Sequence, residues 1–140
     1  MTSIVQTQTT SFKAELYQGV HNLTTDTLKI ALYTANANLN EATTAYSTDN
    51  EITGVGYAVG GQVITGVTVS SSGYTAWVSF DNPEWDPAAF TARCALIYNS
   101  SKSNKSVAVL DFGADKTTVT KFTINLPAAT ATAALIRSSN

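Results

Sequence analysis

The strongest pattern in the chain is the run FTARCALIYN at Phe90–Asn99, where side chains alternate with a period of two. Phe90, Ala92, Cys94, Leu96 and Tyr98 fall on one side, and Thr91, Arg93, Ala95, Ile97 and Asn99 on the other. Both rows turn apolar toward the end, which predicts a mid-sheet strand covered on both sides at Leu96 and Ile97. The same period recurs around it. Residues 27–35 set Leu28, Ile30 and Leu32 against Lys29, Ala31 and Tyr33, a half-buried strand. Residues 67–70, the turn SSSG and residues 74–81 predict a hairpin, with Tyr74, Ala76, Val78 and Phe80 opposite Thr75, Trp77, Ser79 and Asp81. Residues 106–111 form a further strand and DFGADK turns it. Residues 118–126 then alternate Thr120, Phe122, Ile124 and Leu126 against Val119, Lys121, Thr123 and Asn125, and Leu135 and Ile136 close the chain.

One helical pattern stands among these strands, at residues 11–19. Ser11 supplies the cap, Phe12 and Leu16 repeat at i, i+4, and Gly19 takes the left-handed closing position. Residues 36–52 are a long polar passage rich in turn residues, of a length that marks a functional loop, a contact loop, or one partly ordered by a neighbour. Glycines at 54, 56, 60, 61 and 66 punctuate short strands at 57–59 and 62–65, and Pro83 and Pro87 bracket Trp85 in a rigid corner. Together these elements predict an all-β fold: an antiparallel β-sandwich, jelly-roll like, with one short N-terminal helix. It occupies 11–140 as a single domain. Residues 1–10 read as an extended arm, either a frayed terminus or a strand that joins a neighbour's sheet edge.

Composition narrows the function. Among 140 residues, Lys and Arg number 8 and Asp and Glu 10, for a net charge of −2. So little charge leaves no electrostatic footprint for nucleic acid. Thr, Ser and Asn carry the polarity instead, and neutral hydrogen-bonding side chains on strands suit surfaces packed against other protein. The single cysteine, Cys94, sits within the core pattern, so no intrachain disulfide is expected and the thiol reads as buried. Residues 1–10 lack the basic and apolar runs of a leader, and residues 127–136 are too short to cross a bilayer, so a soluble protein is expected, with no membrane partner.

Candidate chemistry is thin. A hydrolytic triad needs a histidine or a substitute base, and the sole histidine, His21, lies in a loop with no partner at ligand spacing. One His and one Cys far apart are poor material for zinc, and Asp111, Asp115 and residues 49–51 offer too few close oxygens for calcium. Glu84 and Asp86 flank Trp85 at a corner that reads as solvated. The glycine series lacks the Lys-Ser/Thr of a phosphate loop. No catalytic, cofactor-binding or metal residues are therefore assigned, and the chain reads as a non-enzyme. One alternative is a carbohydrate-binding β-sandwich that stacks sugars on Trp77, Trp85, Tyr33 and Tyr57.

Across most of its length the chain resembles the small decoration, or cement, proteins that coat tailed-phage capsids, in particular the type of the short-tailed Bordetella phage. The likeness rests on SFKAELYQGVHNLTTDTLKIALYT, GYAVGGQVITG, FTARCALIYN and VAVLDFGADKT. It implies a jelly-roll subunit, a homodimer, placed on the outer capsid surface over joints between major capsid subunits after synthesis in the host bacterial cytoplasm. A tail or head-fibre component would leave the same traces. Residues 2–10 and 36–52 are the expected shell-binding surface, residues 128–136 the expected dimer contact. Ile4, Val5, Phe12, Leu39, Tyr46 and Trp85 are the candidate interface residues.

Overall fold

A computed structural model describes residues 4–139. In chain order its elements are β1 (Thr7–Gln8), α1 (Thr10–Tyr17), β2 (Leu28–Tyr33), β3 (Gln62–Val63), β4 (Thr68–Ser72), β5 (Thr75–Ser79), β6 (Glu84–Trp85), β7 (Phe90–Asn99), β8 (Lys105–Thr118), β9 (Phe122–Thr123) and β10 (Ile136–Ser139). A short 3-10 turn, Ser100–Lys102, links β7 to β8. The fold is the expected all-β sandwich with antiparallel sheets and one short helix. Its main layer is a five-stranded sheet in the order β1-β8-β7-β2-β3, and β10-β5-β4 and β6-β9 form smaller sheets.

β7 is the middle strand because both its faces are apolar, and each face has its own roof. On one side Leu28, Ile30, Leu32, Ala95, Ile97 and Leu110 join Phe12 of the helix, Trp85 and Phe122 of β6-β9 and Ile136 of β10 in the main core. On the other side Ala31, Tyr33, Cys94, Leu96, Tyr98 and Val109 meet Ala37, Leu39 and Tyr46 from residues 36–52. β2 is consequently buried on both faces, where a half-buried strand was expected: its Ala31 and Tyr33 lie under the 36–52 loop.

The period-two reading of β7 fails at one place. Ala92 pairs with Lys116 and Cys94 with Asp111, so Arg93 alone faces residues 112–115 of β8. This bulge shifts the alternation by one, and Phe90 and Ala92 share the main core with Ala95 and Ile97, opposite Cys94, Leu96 and Tyr98. Gly113 sits in the bulge with φ +82. DFGADK is thus an irregularity inside β8 and not a turn, because Lys116–Thr118 resume pairing with Phe90–Ala92.

Other local expectations shift in the same way. Ser70, Ser71 and Ser72 belong to β4, so the hairpin turn is Gly73-Tyr74, with Gly73 at φ +59 in the first position of a two-residue turn. No strand forms at 57–59, and those expected at 62–65 and 118–126 contract to β3 and β9. The helix starts two residues early: Thr9, not Ser11, is its cap, accepting from the Phe12 N–H at 3.3 Å. Phe12 is its one buried side chain, while Leu16 is exposed.

The arm is also reassigned. Residues 1–3 lie outside the described residues, but Thr7 and Gln8 pair with Val109 and Ala108, and Ile4 bridges Leu39. Thr7–Gln8 therefore form a short edge strand of the chain's own sheet, which leads through the cap Thr9 into α1. No helix among the described residues is long and apolar enough to cross a membrane.

Gly61 and Gly73 both have positive φ but differ in their surroundings. A Cβ on Gly61 would lie 1.7 Å from the Ile30 carbonyl oxygen, whereas one on Gly73 would meet nothing within 4 Å. In urea denaturation Gly73→Ala is expected to cost about 1 kcal/mol, the left-handed penalty alone. Gly61→Ala is expected to cost about 3 kcal/mol or more, because β2 must also move.

Candidate adhesive surface

The polar passage and the glycine series are fastened to each other by one carboxylate. Glu51 pairs backbone to backbone with Tyr33 at the end of β2. Its Oε1 accepts from the Tyr46 hydroxyl at 2.6 Å, and its Oε2 accepts from the Tyr57 hydroxyl in a short hydrogen bond and from the Gly60 N–H at 2.8 Å. The Tyr57 oxygen in turn accepts from the Leu32 N–H at 3.0 Å. Tyr98 donates to the Gly60 carbonyl at 2.6 Å, Tyr33 donates to the Ser47 carbonyl at 2.7 Å, and the Tyr46 and Tyr98 rings stack at 4.6 Å. Burial, with Glu51 beside it, pushes the Tyr98 phenol up to about 12. Tyr33, Tyr46 and Tyr57 are driven well above the ordinary phenol value, chiefly by burial and then by Glu51. All four therefore remain neutral donors at any physiological pH.

This clamp presents a firm apolar loop. Val55, Val59 and Val63 follow at four-residue intervals and are 66%, 71% and 53% exposed. Between them the backbone is pressed against its neighbours: a Cβ on Gly56 would lie 2.0 Å from the carbonyl oxygen of Pro87 in the β6–β7 connection, and one on Gly61 1.7 Å from that of Ile30 in β2. The valines are thus held out by a backbone with little room to relax.

A second network supports the helix end. The His21 side chain is fully enclosed, with Nε2 at 2.9 Å from Glu15 Oε1 and Nδ1 at 2.9 Å from Asn99 Nδ2. Asn99 Oδ1 accepts from the Ser101 N–H and its amide donates to Asp26 at 2.8 Å, which fixes its orientation. Nδ1 of His21 is then the acceptor and Nε2–H donates to Glu15. Burial alone would raise Asp26, but hydrogen bonds from Asn99 and the Asn22 N–H, with Lys102, outweigh it and hold the carboxyl below its ordinary value. Asp111 is lowered likewise: burial opposes, while the Gly113 N–H and Arg93 prevail. Sequence reading found no partner for His21 because Glu15, Asp26 and Asn99 converge only through the tertiary fold. The available signal was Asn99, a polar residue closing an otherwise apolar strand.

The candidate interface residues separate into two groups. Phe12, Leu39 and Trp85 are buried within the chain's own cores, Trp85 edge-on to Phe90 and Phe122. Tyr46 is half-buried with its hydroxyl held by Glu51, Ile4 is half-buried beside Leu39, and Val5 is exposed. Of the four aromatics considered for sugar stacking, Tyr33 and Trp85 are buried and Tyr57 is committed to Glu51. Trp77 is half-buried, paired across strands with Ser70 and Arg137.

These networks position backbone. Cys94 Sγ faces the Thr34 carbonyl at 4.0 Å, and burial pushes its thiol up to about 12. Among the described residues no three His, Cys, Asp or Glu side chains gather in a metal-holding group, and no buried side-chain nitrogen or oxygen lacks a partner. Compared with family models, curated proteins and solved structures, the chain matches none.

Removing the clamp is expected to loosen both loops. Glu51→Ala should lower unfolding free energy by about 3 kcal/mol, the scale for stranding donors of a charged acceptor, with amide exchange faster across residues 36–61. Asp26 and Asp111 have folded values below their unfolded ones, so their stabilisation is complete above the ordinary carboxylate value and is lost as pH falls below about 4. Asp26→Asn with Asp111→Asn is expected to flatten the acid limb of stability against pH, measured by urea titration.

Proposed function

We propose that the chain is a structural virion protein that decorates and stabilises the outer surface of a tailed-phage icosahedral capsid by bridging major capsid subunits. The observation that carries this reading is the rigid valine loop. Val55, Val59 and Val63 stand exposed on a backbone held by Glu51, Gly56 and Gly61, apolar area that is available to a partner surface. The resemblance to cement proteins over the quoted segments points the same way.

The physical task is one of mass action. A subunit that binds the assembled lattice and not the loose shell proteins stabilises the lattice, and small energies at repeated sites sum. Neutral Thr and Ser surfaces serve this task because they are desolvated at less cost than charges.

Co-sedimentation with empty phage heads tests the reading. Unmodified protein is expected to pellet with heads at saturating, regular stoichiometry. Burying a valine is worth about 1.5 kcal/mol, so Val59→Asp is expected to weaken head binding at least tenfold, and Val55→Asp with Val59→Asp to abolish it. Val119→Asp, elsewhere on the surface, should bind as the parent does. Absence of the unmodified protein from the head pellet would refute the proposal.

A further inference from the structure

Two clefts meet where the amino-terminal elements lie beside the β10-β5-β4 sheet. The first, of about 740 Å³, is walled by Phe12 and Leu16 of α1 and Leu23 beyond it, and on the sheet side by Trp77, Val78 and Ile136. The second, of about 580 Å³, is polar, with Gln6, Thr7, Lys13 and Ser139 around it. Gln8, Arg137 and Ser138 border both. They are held there because the Gln8 amide donates to the Arg137 carbonyl at 2.8 Å, tying β1 to β10, and because Arg137 stands opposite Trp77 in the β10-β5 ladder. The first cleft has the size and lining of a small-molecule site, apolar with a few polar groups at its border.

Charge sets the other half of the ligand. No Asp or Glu lines either cleft, and the cations there are Lys13 and Arg137. Of the eight Lys and Arg side chains, Arg93, Lys102, Lys105 and Lys121 pair with carboxylates, whereas Lys13 and Arg137 do not among the described residues. Arg137 Nη1 donates to the Ala134 carbonyl at 2.7 Å, which holds the guanidinium at the border and leaves its other N–H groups to a ligand. His21 also borders the apolar cleft, but both its ring nitrogens are bonded within the chain. We infer that the two clefts form one site for a free, single-chain anionic amphiphile, a long-chain carboxylate, with its tail between Leu16 and Trp77 and its head toward Arg137 and Lys13. Burial of the tail drives binding, and the head selects: a cationic head meets two like charges, and a neutral one forfeits charge-assisted hydrogen bonds. The inference is independent of the capsid reading, since it uses neither the valine loop nor a shell partner.

Trp77 lines the tail cleft while Trp85 lies in the main core, so tryptophan emission reports on the site. Dodecanoate, titrated below its micelle concentration, is expected to shift the emission and to saturate a single site with a Kd of about 100 µM or tighter. Dodecyldimethylamine oxide, with a neutral head, and dodecyltrimethylammonium, with a cationic one, are expected to bind at least about tenfold more weakly. Lys13→Gln with Arg137→Gln should lower dodecanoate affinity about tenfold and leave amine oxide binding as in the parent, which also shows that the variant is folded. Leu16→Gln, at a side chain 41% exposed, should weaken both ligands. No saturable shift below the micelle concentration, equal affinity for the three heads, or parental dodecanoate affinity in either variant would overturn the inference. Pelleting with phosphatidylglycerol vesicles while monomeric dodecanoate leaves the emission unchanged would also overturn it, and would assign this face to a membrane surface instead.

Discussion

A strand that is apolar on both faces has to be covered twice, and the placement of most of this chain follows from that requirement. β7 carries Ala95 and Ile97 on one face and Leu96 and Tyr98 on the other, all buried. The smaller sheets and Phe12 of the helix cover the first face. Few residues remain for the second, and it is covered by irregular chain: residues 36–52, pinned by Leu39 from below and by the tyrosines around Glu51 from above. Buried irregular backbone is stable only if its polar groups are paired. In this segment only Ala37, Leu39 and Ile52 are buried, and side-chain-to-backbone bonds from Thr34, Asn40, Thr43 and Ser47 order the more exposed chain between them.

What was legible in the sequence was whatever a period of two or a turn residue records. β7, β2, the β4-β5 hairpin and the sandwich class were all readable from alternation. What period two does not record is an inserted residue. The bulge at Arg93 reverses every later side chain of β7, and nothing in FTARCALIYN marks it except a charged residue that needed Asp111 opposite. The serines of β4 were misplaced for a related reason: Ser favours turns by composition, yet here β5 supplies a full ladder and the turn needs only Gly73 and Tyr74. Phe12, Leu39 and Trp85 are among the candidate interface residues, and each lies in or beside a polar stretch. Each is in fact the apolar anchor that fastens its stretch to a core.

The two buried networks were invisible for a different reason. Glu51 is joined by Tyr46 and Tyr57 from its own neighbourhood, but the bonds depend on Tyr33 and Tyr98 first setting the floor of the second core. Likewise Glu15, His21, Asp26 and Asn99 come from a helix, two loop positions and the end of the central strand. A histidine with Asn99 on one nitrogen and Glu15 on the other reads as catalytic material in isolation. Here both nitrogens are consumed inside the chain, and the network acts to hold the end of α1 against β7.

Sparse charge links these features to adhesion. A chain with few charges has few means of keeping strand edges apart, and two of its edges are covered instead, β1 flanked by backbone from residues 36–52 and β10 met by the Gln8 side chain. It also has few strongly hydrated groups to dehydrate when a surface is buried. Rigidity adds to this, since a loop already fixed by Glu51 and by glycines pressed on the sheet loses little freedom when its valines are covered. Low desolvation cost and low ordering cost both act on the unfavourable side of association. Together they lower what a modest apolar area has to supply, and under the proposed shell-decorating role that saving would recur at every site.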